Sequence, residues 1–155
     1  MSIGVVKNGE IELLKGFGHP SRNDASEVNE NSVFQIASQS KMLTGIVVNN
    51  LIQEGKLDLE ETIATYLPEV INEEAQNALG AIKLKHLLNH TAGIPSDACS
   101  VYSQRIEGEA WTKGYSKEEL IADLNQLKLE FEPNSQFQYS NSGYAIVGLI
   151  FENVS

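Results

Sequence analysis

Apolar positions recur along this chain with two different periods. Residues 3–6 (Ile3-Gly4-Val5-Val6) and 11–17 (Ile11 to Phe17) are short apolar runs separated by Lys7-Asn8-Gly9-Glu10. Asn-Gly between two such runs predicts an antiparallel β-hairpin. Residues 18–32 are polar, rich in Asn, Ser and Glu, with Pro20 early, and predict a surface loop. The period then lengthens. Met42, Leu43, Ile46, Val47, Leu51 and Ile52 are spaced by threes and fours and predict a helix over 38–54, stopped by Gly55. Nearly two of its faces are apolar, so it is expected to be central rather than peripheral. A short helix is predicted around Glu60–Tyr66, closed by Pro68, and another over Leu84–Asn89, ended by a turn at Gly93 and Pro95. Residues 96–114 read as irregular. Ser116 and Glu119 form a capping box ahead of Leu120, Ile121, Leu124 and Leu127. Glu132–Ser135 reads as a turn, Phe137 and Tyr139 as a short extended stretch, and a last helix runs from Ser142 through Ile146, Val147 and Ile150. Two strands followed by helices define an α+β chain. Two strands alone are marginal in water, so they call for a covering layer.

Composition narrows the function classes. The 155 residues suit one domain of ordinary size, and 41% hydrophobic with 21% charged residues fits a soluble globular chain. A formal net charge of −10 repels phosphate backbones, so no nucleic acid is expected as a partner. Cys99 is the only cysteine, which excludes an intramolecular disulfide, and it reads as an inert loop or surface thiol. The first ten residues lack the basic start and apolar run of a signal peptide, and no membrane span is expected, since no stretch approaches about 18 apolar residues. As written the chain reads as cytoplasmic, and as periplasmic or extracellular if a signal was removed.

Three groups of residues carry candidate chemistry. Ser38 and Lys41 stand three apart where the apolar run Val33, Phe34, Ile36 gives way to the helical pattern. That spacing puts a hydroxyl and an amine on one helix face, the pairing a serine nucleophile needs at neutral pH. A lysine in a first helical turn opposes the helix dipole, so a purely structural design would avoid it. Tyr139-Ser140-Asn141 lies just before the last helix, where side chains project into clefts. A tyrosine hydroxyl beside a lysine relays a proton, and an asparagine orients an amine or a substrate amide. His86 and His90 are four apart, but Leu87 follows His86 where a metalloprotease helix has Glu, and no third ligand stands out. No metal and no cofactor are therefore expected. His90 and Thr91 are expected to bond backbone at a sharp helix exit.

Ser38-Gln39-Ser40-Lys41, the run Leu87-Leu88-Asn89-His90-Thr91-Ala92-Gly93-Ile94-Pro95, and Tyr139-Ser140-Asn141 occur in the order and approximate spacing of the serine β-lactamase and penicillin-binding-protein superfamily, which this chain resembles. The Tyr-x-Asn form resembles the class C β-lactamase branch, which includes D-alanyl-D-alanine carboxypeptidases, D-aminopeptidases and esterases. The resemblance implies a β-lactamase/transpeptidase-like fold and a serine hydrolase acting on a β-lactam, a D-alanyl peptide or an ester. It makes Ser38 the acylated nucleophile and Lys41 the acceptor of its proton. Tyr139 becomes the base with Lys41 and then the acid toward the leaving group, Asn141 the holder of Lys41 and the substrate amide, and the Ser38 N–H an oxyanion donor.

The family pattern continues to a strand bearing Lys-Thr-Gly or His-x-Gly, and no such motif follows Tyr139 here. Residues 1–155 are accordingly expected to be an incomplete, N-terminal domain portion, with 1–17 as hairpin and 33–155 as mainly helical lobe. Such a portion is expected to be nearly inactive, since one lost oxyanion donor typically costs about 3–4 kcal/mol. The alternative is a truncated, non-catalytic homologue that binds a peptide or a partner chain. Self-association through the exposed sheet edge is a further expectation.

Overall fold

The computed structural model describes residues 1–68, 73, 75, 79–96 and 116–155. They fall into two units, Met1–Ser40 and Lys41–Ser155. In the first, β1 (Ser2–Lys7) and β2 (Glu10–Gly16) pair antiparallel, from Ser2↔Gly16 to Lys7↔Glu10, with a register shift between Val5 and Val6. The connecting Asn8 and Gly9 have φ of 53° and 83°. Two consecutive left-handed residues make a type I′ turn, whose twist matches that of the strands, and Asn and Gly adopt it at least cost. The pairing extends one step further, since the Phe17 N–H donates to the Met1 carbonyl at 2.7 Å. The polar loop that follows is tied back by the Val28 N–H on the Gly18 carbonyl at 2.9 Å, with Val28 buried. The unit ends in a 3-10 turn, Ala37–Gln39.

The second unit is helical. The chain enters it through α1 (Ser40–Gln53) and continues with α2 (Ile63–Tyr66), α3 (Leu84–Leu88), α4 (Lys117–Leu124) and α5 (Asn141–Val154). Its core is built from Ile63, Leu67, Ile82, Leu84, Leu87, Ile94, Ile146, Val147 and Ile150, all essentially out of solvent. α5 supplies three of these and packs on α3 and α2. The starts of α2 and α3 lie side by side, joined by a bridge between Thr62 and Lys83 and by the Ile63 N–H on the Ile82 carbonyl at 2.9 Å. Glu60 locks this corner with Lys83 at 2.9 Å and Lys85 at 2.5 Å.

Three expectations need correction. α1 is not central: along it only Val48 is buried, while Met42 is 67% and Ile46 54% exposed. Periodicity reports which faces are apolar, and burial needs an opposing layer for each face. Among the described residues such a layer meets only the stripe of Val48, Leu51 and Ile52. The helix also starts later than its apolar pattern, because residues 37–39 take the tighter 3-10 form. α2 starts at Ile63 rather than Glu60. The Asp58 side chain accepts from the Glu60 N–H at 2.8 Å, and the Asp58 carbonyl accepts from the Glu61 N–H at 3.3 Å. This local turn competes with helix for the same donors. The capping box of α4 is formed as expected, with the Glu119 N–H on Ser116 Oγ at 3.2 Å and the Ser116 N–H on Glu119 Oε2 at 2.9 Å. Cys99, and all but Ser96 of the stretch read as irregular, lie outside the described residues.

Candidate active site

The run from Leu87 to Pro95 builds the platform for Tyr139, Ser140 and Asn141. α3 ends in a Schellman arrangement, with the Thr91 N–H on the His86 carbonyl at 2.9 Å and the His90 N–H on the Leu87 carbonyl at 3.5 Å. His90 takes the left-handed position of that motif, φ 63°, where glycine is usual. Beyond it the chain exposes a row of carbonyls to the later segment. Gly93 O accepts from the Glu130 N–H at 2.8 Å, Thr91 O from Asn134 at 2.7 Å and His90 O from Gln138 at 2.9 Å. Gly93 has φ 77°, and a Cβ there would stand 2.1 Å from the Phe131 carbonyl oxygen, so both backbone shape and close approach require glycine. The last ties fall on the motif. The Ser140 N–H donates to His90 Nδ1 at 3.1 Å, Ser140 Oγ donates to Pro95 O at 3.0 Å, and the Asn141 N–H donates to Ser96 O at 3.0 Å. Ser140 also caps α5 by accepting from the Gly143 N–H at 3.0 Å.

Against this platform lies Lys41, the second residue of α1. Its Nζ donates to Asn141 Oδ1 at 2.8 Å, across 100 residues of sequence. The same Nζ is 4.8 Å from the Tyr139 ring centroid and 5.3 Å from that of Tyr144. An ammonium offers only donors, so the amide must present its oxygen, and two aromatic faces add cation–π attraction. The amine is thus held in a defined place beside a phenol. Tyr139 is 39% exposed, open to an incoming molecule.

Two imidazoles, His86 on α3 and His90 just beyond its end, have different tasks. His90 lies 4.5 Å from the Tyr139 ring and 5.3 Å from the Tyr144 ring, centroid to centroid, with Phe137 edge-on at 5.9 Å. Burial, and then the Lys41 charge, holds its pKa below the ordinary histidine value. His86 is buried, and its Nδ1 accepts from the Lys83 N–H at 3.1 Å at the start of α3. Burial first, then the charges of Lys85 and Lys83, lower its pKa as well. Each imidazole thus bonds a different backbone amide.

Lys41, Tyr139 and Asn141 are therefore brought together. Ser38 lies in the 3-10 turn of the first unit, three residues before Lys41 along the chain. Its predecessor Ala37 has φ 46°, a left-handed conformation costing roughly 1–2 kcal/mol for a residue with a Cβ. Strain of this kind concentrates at functional sites. The sequence reading missed Tyr144. It stands three residues after Asn141 on α5, and that spacing on one helix face was the signal available. Its hydroxyl donates to the Leu88 carbonyl at 3.0 Å, and burial, then Tyr139, raises its pKa.

The β-lactamase family model matches residues 1–155, and the chain belongs to that family, within the superfamily of serine β-lactamases and penicillin-binding proteins. Members of this superfamily are serine hydrolases. The chain is 33% identical over 155 residues to Protein flp of Staphylococcus aureus, covering 99% of this chain and 30% of that protein. It is 28% identical to a putative D-alanyl-D-alanine carboxypeptidase of Salmonella paratyphi A, covering 97% of this chain and 37% of that one. Among solved structures, an octameric penicillin-binding protein homologue from Pyrococcus abyssi superposes with a TM-score of 0.79 at 27% identity, over 99% of this chain and 34% of that one. The chain thus has the α+β fold of the β-lactamase/transpeptidase type and spans about a third of the length of these relatives.

Proposed function

We propose that Ser38, Lys41, Tyr139 and Asn141 form the catalytic group of an acyl-transferring serine hydrolase. Ser38 Oγ attacks a carbonyl carbon while its proton passes to Lys41 in its neutral amine form, which keeps an N–H on Asn141 Oδ1 and a lone pair for the proton. The tetrahedral intermediate collapses to an acyl-serine as the Tyr139 hydroxyl gives a proton to the departing nitrogen or oxygen. Water, activated by the same pair, then releases the acyl group. Asn141 holds Lys41 and accepts the N–H of a substrate amide. The observation that carries this reading is the 2.8 Å bond from Lys41 Nζ to Asn141 Oδ1 with the Tyr139 ring 4.8 Å away. Two groups 100 residues apart meet with the polarity the reaction needs. The strained backbone ahead of Ser38 supports the same reading.

The substrate class we propose is a strained lactam, a D-alanyl peptide bond or a short ester, in keeping with the relative named as a putative D-alanyl-D-alanine carboxypeptidase. Full turnover belongs to a polypeptide of the relatives' length. The 155 residues alone are expected to acylate slowly, because a missing oxyanion donor costs about 3–4 kcal/mol. The test is covalent labelling by a fluorophosphonate, read by intact mass and peptide mapping. Label on Ser38, lost in Ser38→Ala, supports the proposal. A polypeptide of the relatives' full length that never labels at Ser38 ends it.

A further inference from the structure

His90 sits where the end of α3 is served more cheaply by glycine. The Schellman turn needs only a left-handed residue, and an L side chain there is strained where glycine is not. Yet the position holds a histidine engaged through both its ring and its backbone. Its Nδ1 accepts from the Ser140 N–H at 3.1 Å, its ring lies 4.5 Å from that of Tyr139 at 33°, and its carbonyl accepts from Gln138 at 2.9 Å. All three contacts fall within the three residues that end at Ser140, immediately before Asn141. An Nδ1 that accepts carries no proton, so the ring is the neutral tautomer with its hydrogen on Nε2.

We propose that His90 is a positioning residue of this site: its neutral imidazole holds the Ser140 amide and the Tyr139 ring, and so sets where the Tyr139 hydroxyl and the Asn141 amide stand relative to Lys41. The proposal rests on the roles given above to Tyr139 and Asn141. Its consequence is an acid switch. A proton added at Nδ1 turns the acceptor into a donor facing the Ser140 N–H, and the bond is lost. The titratable groups around the ring are Lys41 from α1, Tyr139 from the segment before α5 and Tyr144 from α5. The partial burial of the ring, and then the Lys41 charge, oppose that proton, so the switch lies on the acid side of the ordinary histidine range.

Two variants separate this role from a merely structural one. His90→Gly suits the left-handed backbone, so the turn is kept while the imidazole is lost. His90→Asn also tolerates that backbone, and its Oδ1 takes the place of Nδ1 as acceptor without titrating. The first measurement is NMR on the full chain. His90 should be protonated at Nε2 and bare at Nδ1 at neutral pH. The Ser140 amide and the Tyr139 ring signals should move with the His90 titration, and should be flat in His90→Asn. A ring protonated at Nδ1, or a His90 titration that leaves the Ser140 amide unmoved, overturns the proposal. The second measurement is the pH profile of Ser38 labelling by a fluorophosphonate. The rate should fall about tenfold across the His90 midpoint, lie about tenfold low at all pH in His90→Gly, and lose that acid limb in His90→Asn. A His90→Gly chain that labels like the unaltered one and keeps the acid limb overturns the proposal. If a polypeptide of the relatives' full length does not label at Ser38, the hydrolase reading falls, and the NMR result alone decides the fate of His90.

Discussion

On the proposed mechanism, the pair Lys41 and Asn141 sets the chemistry of the site. The bond between them is charge-assisted, a class worth about 1.5–3 kcal/mol. Asn141→Leu keeps the bulk and removes the acceptor, so the amine loses its fixed place. Labelling of Ser38 should drop by about a hundredfold or more, in line with the loss of general-base assistance. Stopped-flow or gel-based labelling of the two proteins side by side checks this, and equal rates would remove Asn141 from the mechanism. Gly93 is the opposite case, a residue without a side chain that holds the platform. Gly93→Ala forces a Cβ to 2.1 Å from Phe131 O at φ 77° and should destabilise the chain by at least about 2 kcal/mol. The midpoint of urea unfolding reads this directly. A shift worth less than about 0.5 kcal/mol would mean that the 93–131 contact is not formed.

Among the elements, α4 and α5 are each defined by a serine at the N-cap, and both caps are engaged. Ser116 makes a reciprocal pair with Glu119 on an exposed helix start. Ser116→Ala should therefore cost about 1 kcal/mol and leave the site unchanged, measurable as a lower urea midpoint at constant labelling rate. The Ser140 cap has a second duty, since its hydroxyl also donates to Pro95 O. Its loss would loosen both α5 and the loop beneath Asn141. The elements also show how far the chain can be read without coordinates. The hairpin was legible because Asn8-Gly9 names its own turn type, and α4 because Ser116 and Glu119 name its first residue. α2 was misplaced by three residues because Asp58 captures nearby amides through its side chain and its carbonyl, an outcome the apolar spacing does not register. The burial of α1 was misjudged for a broader reason. An apolar face states a preference, and the neighbour that satisfies it belongs to the assembled protein.

At the level of the whole chain, acid is the informative perturbation. His86 and His90 both have pKa values below the ordinary 6.5. The unfolded chain therefore binds more protons than the folded one across that interval. The stability they contribute is complete above 6.5 and is lost as pH falls through their folded values. Glu60, held down to about 2 by the hydrogen bonds of Lys85 and then Lys83, adds a second, lower window: its part is complete above 4.5 and is lost as pH falls toward 2. Thermal unfolding at about pH 7.5 and about pH 5.5 should show a lower midpoint in the more acidic buffer, and the difference should shrink in His90→Asn. An unchanged midpoint would mean that neither ring is held neutral by the fold. The residue types and their order were enough to read the α+β class, the hairpin and the Ser116 capping box, and to propose Ser38, Lys41, Tyr139 and Asn141 as motif residues, because turns, caps and periodicities are local and their physics is carried by adjacent residues. That Lys41 meets Asn141, that Tyr144 joins Tyr139 around the same amine, and that His90 stands against the Tyr139 ring depended on packing. Those contacts join segments 50 to 100 residues apart, and their distances follow from how α3, α5 and the row of carbonyls from His90 to Ser96 fit together.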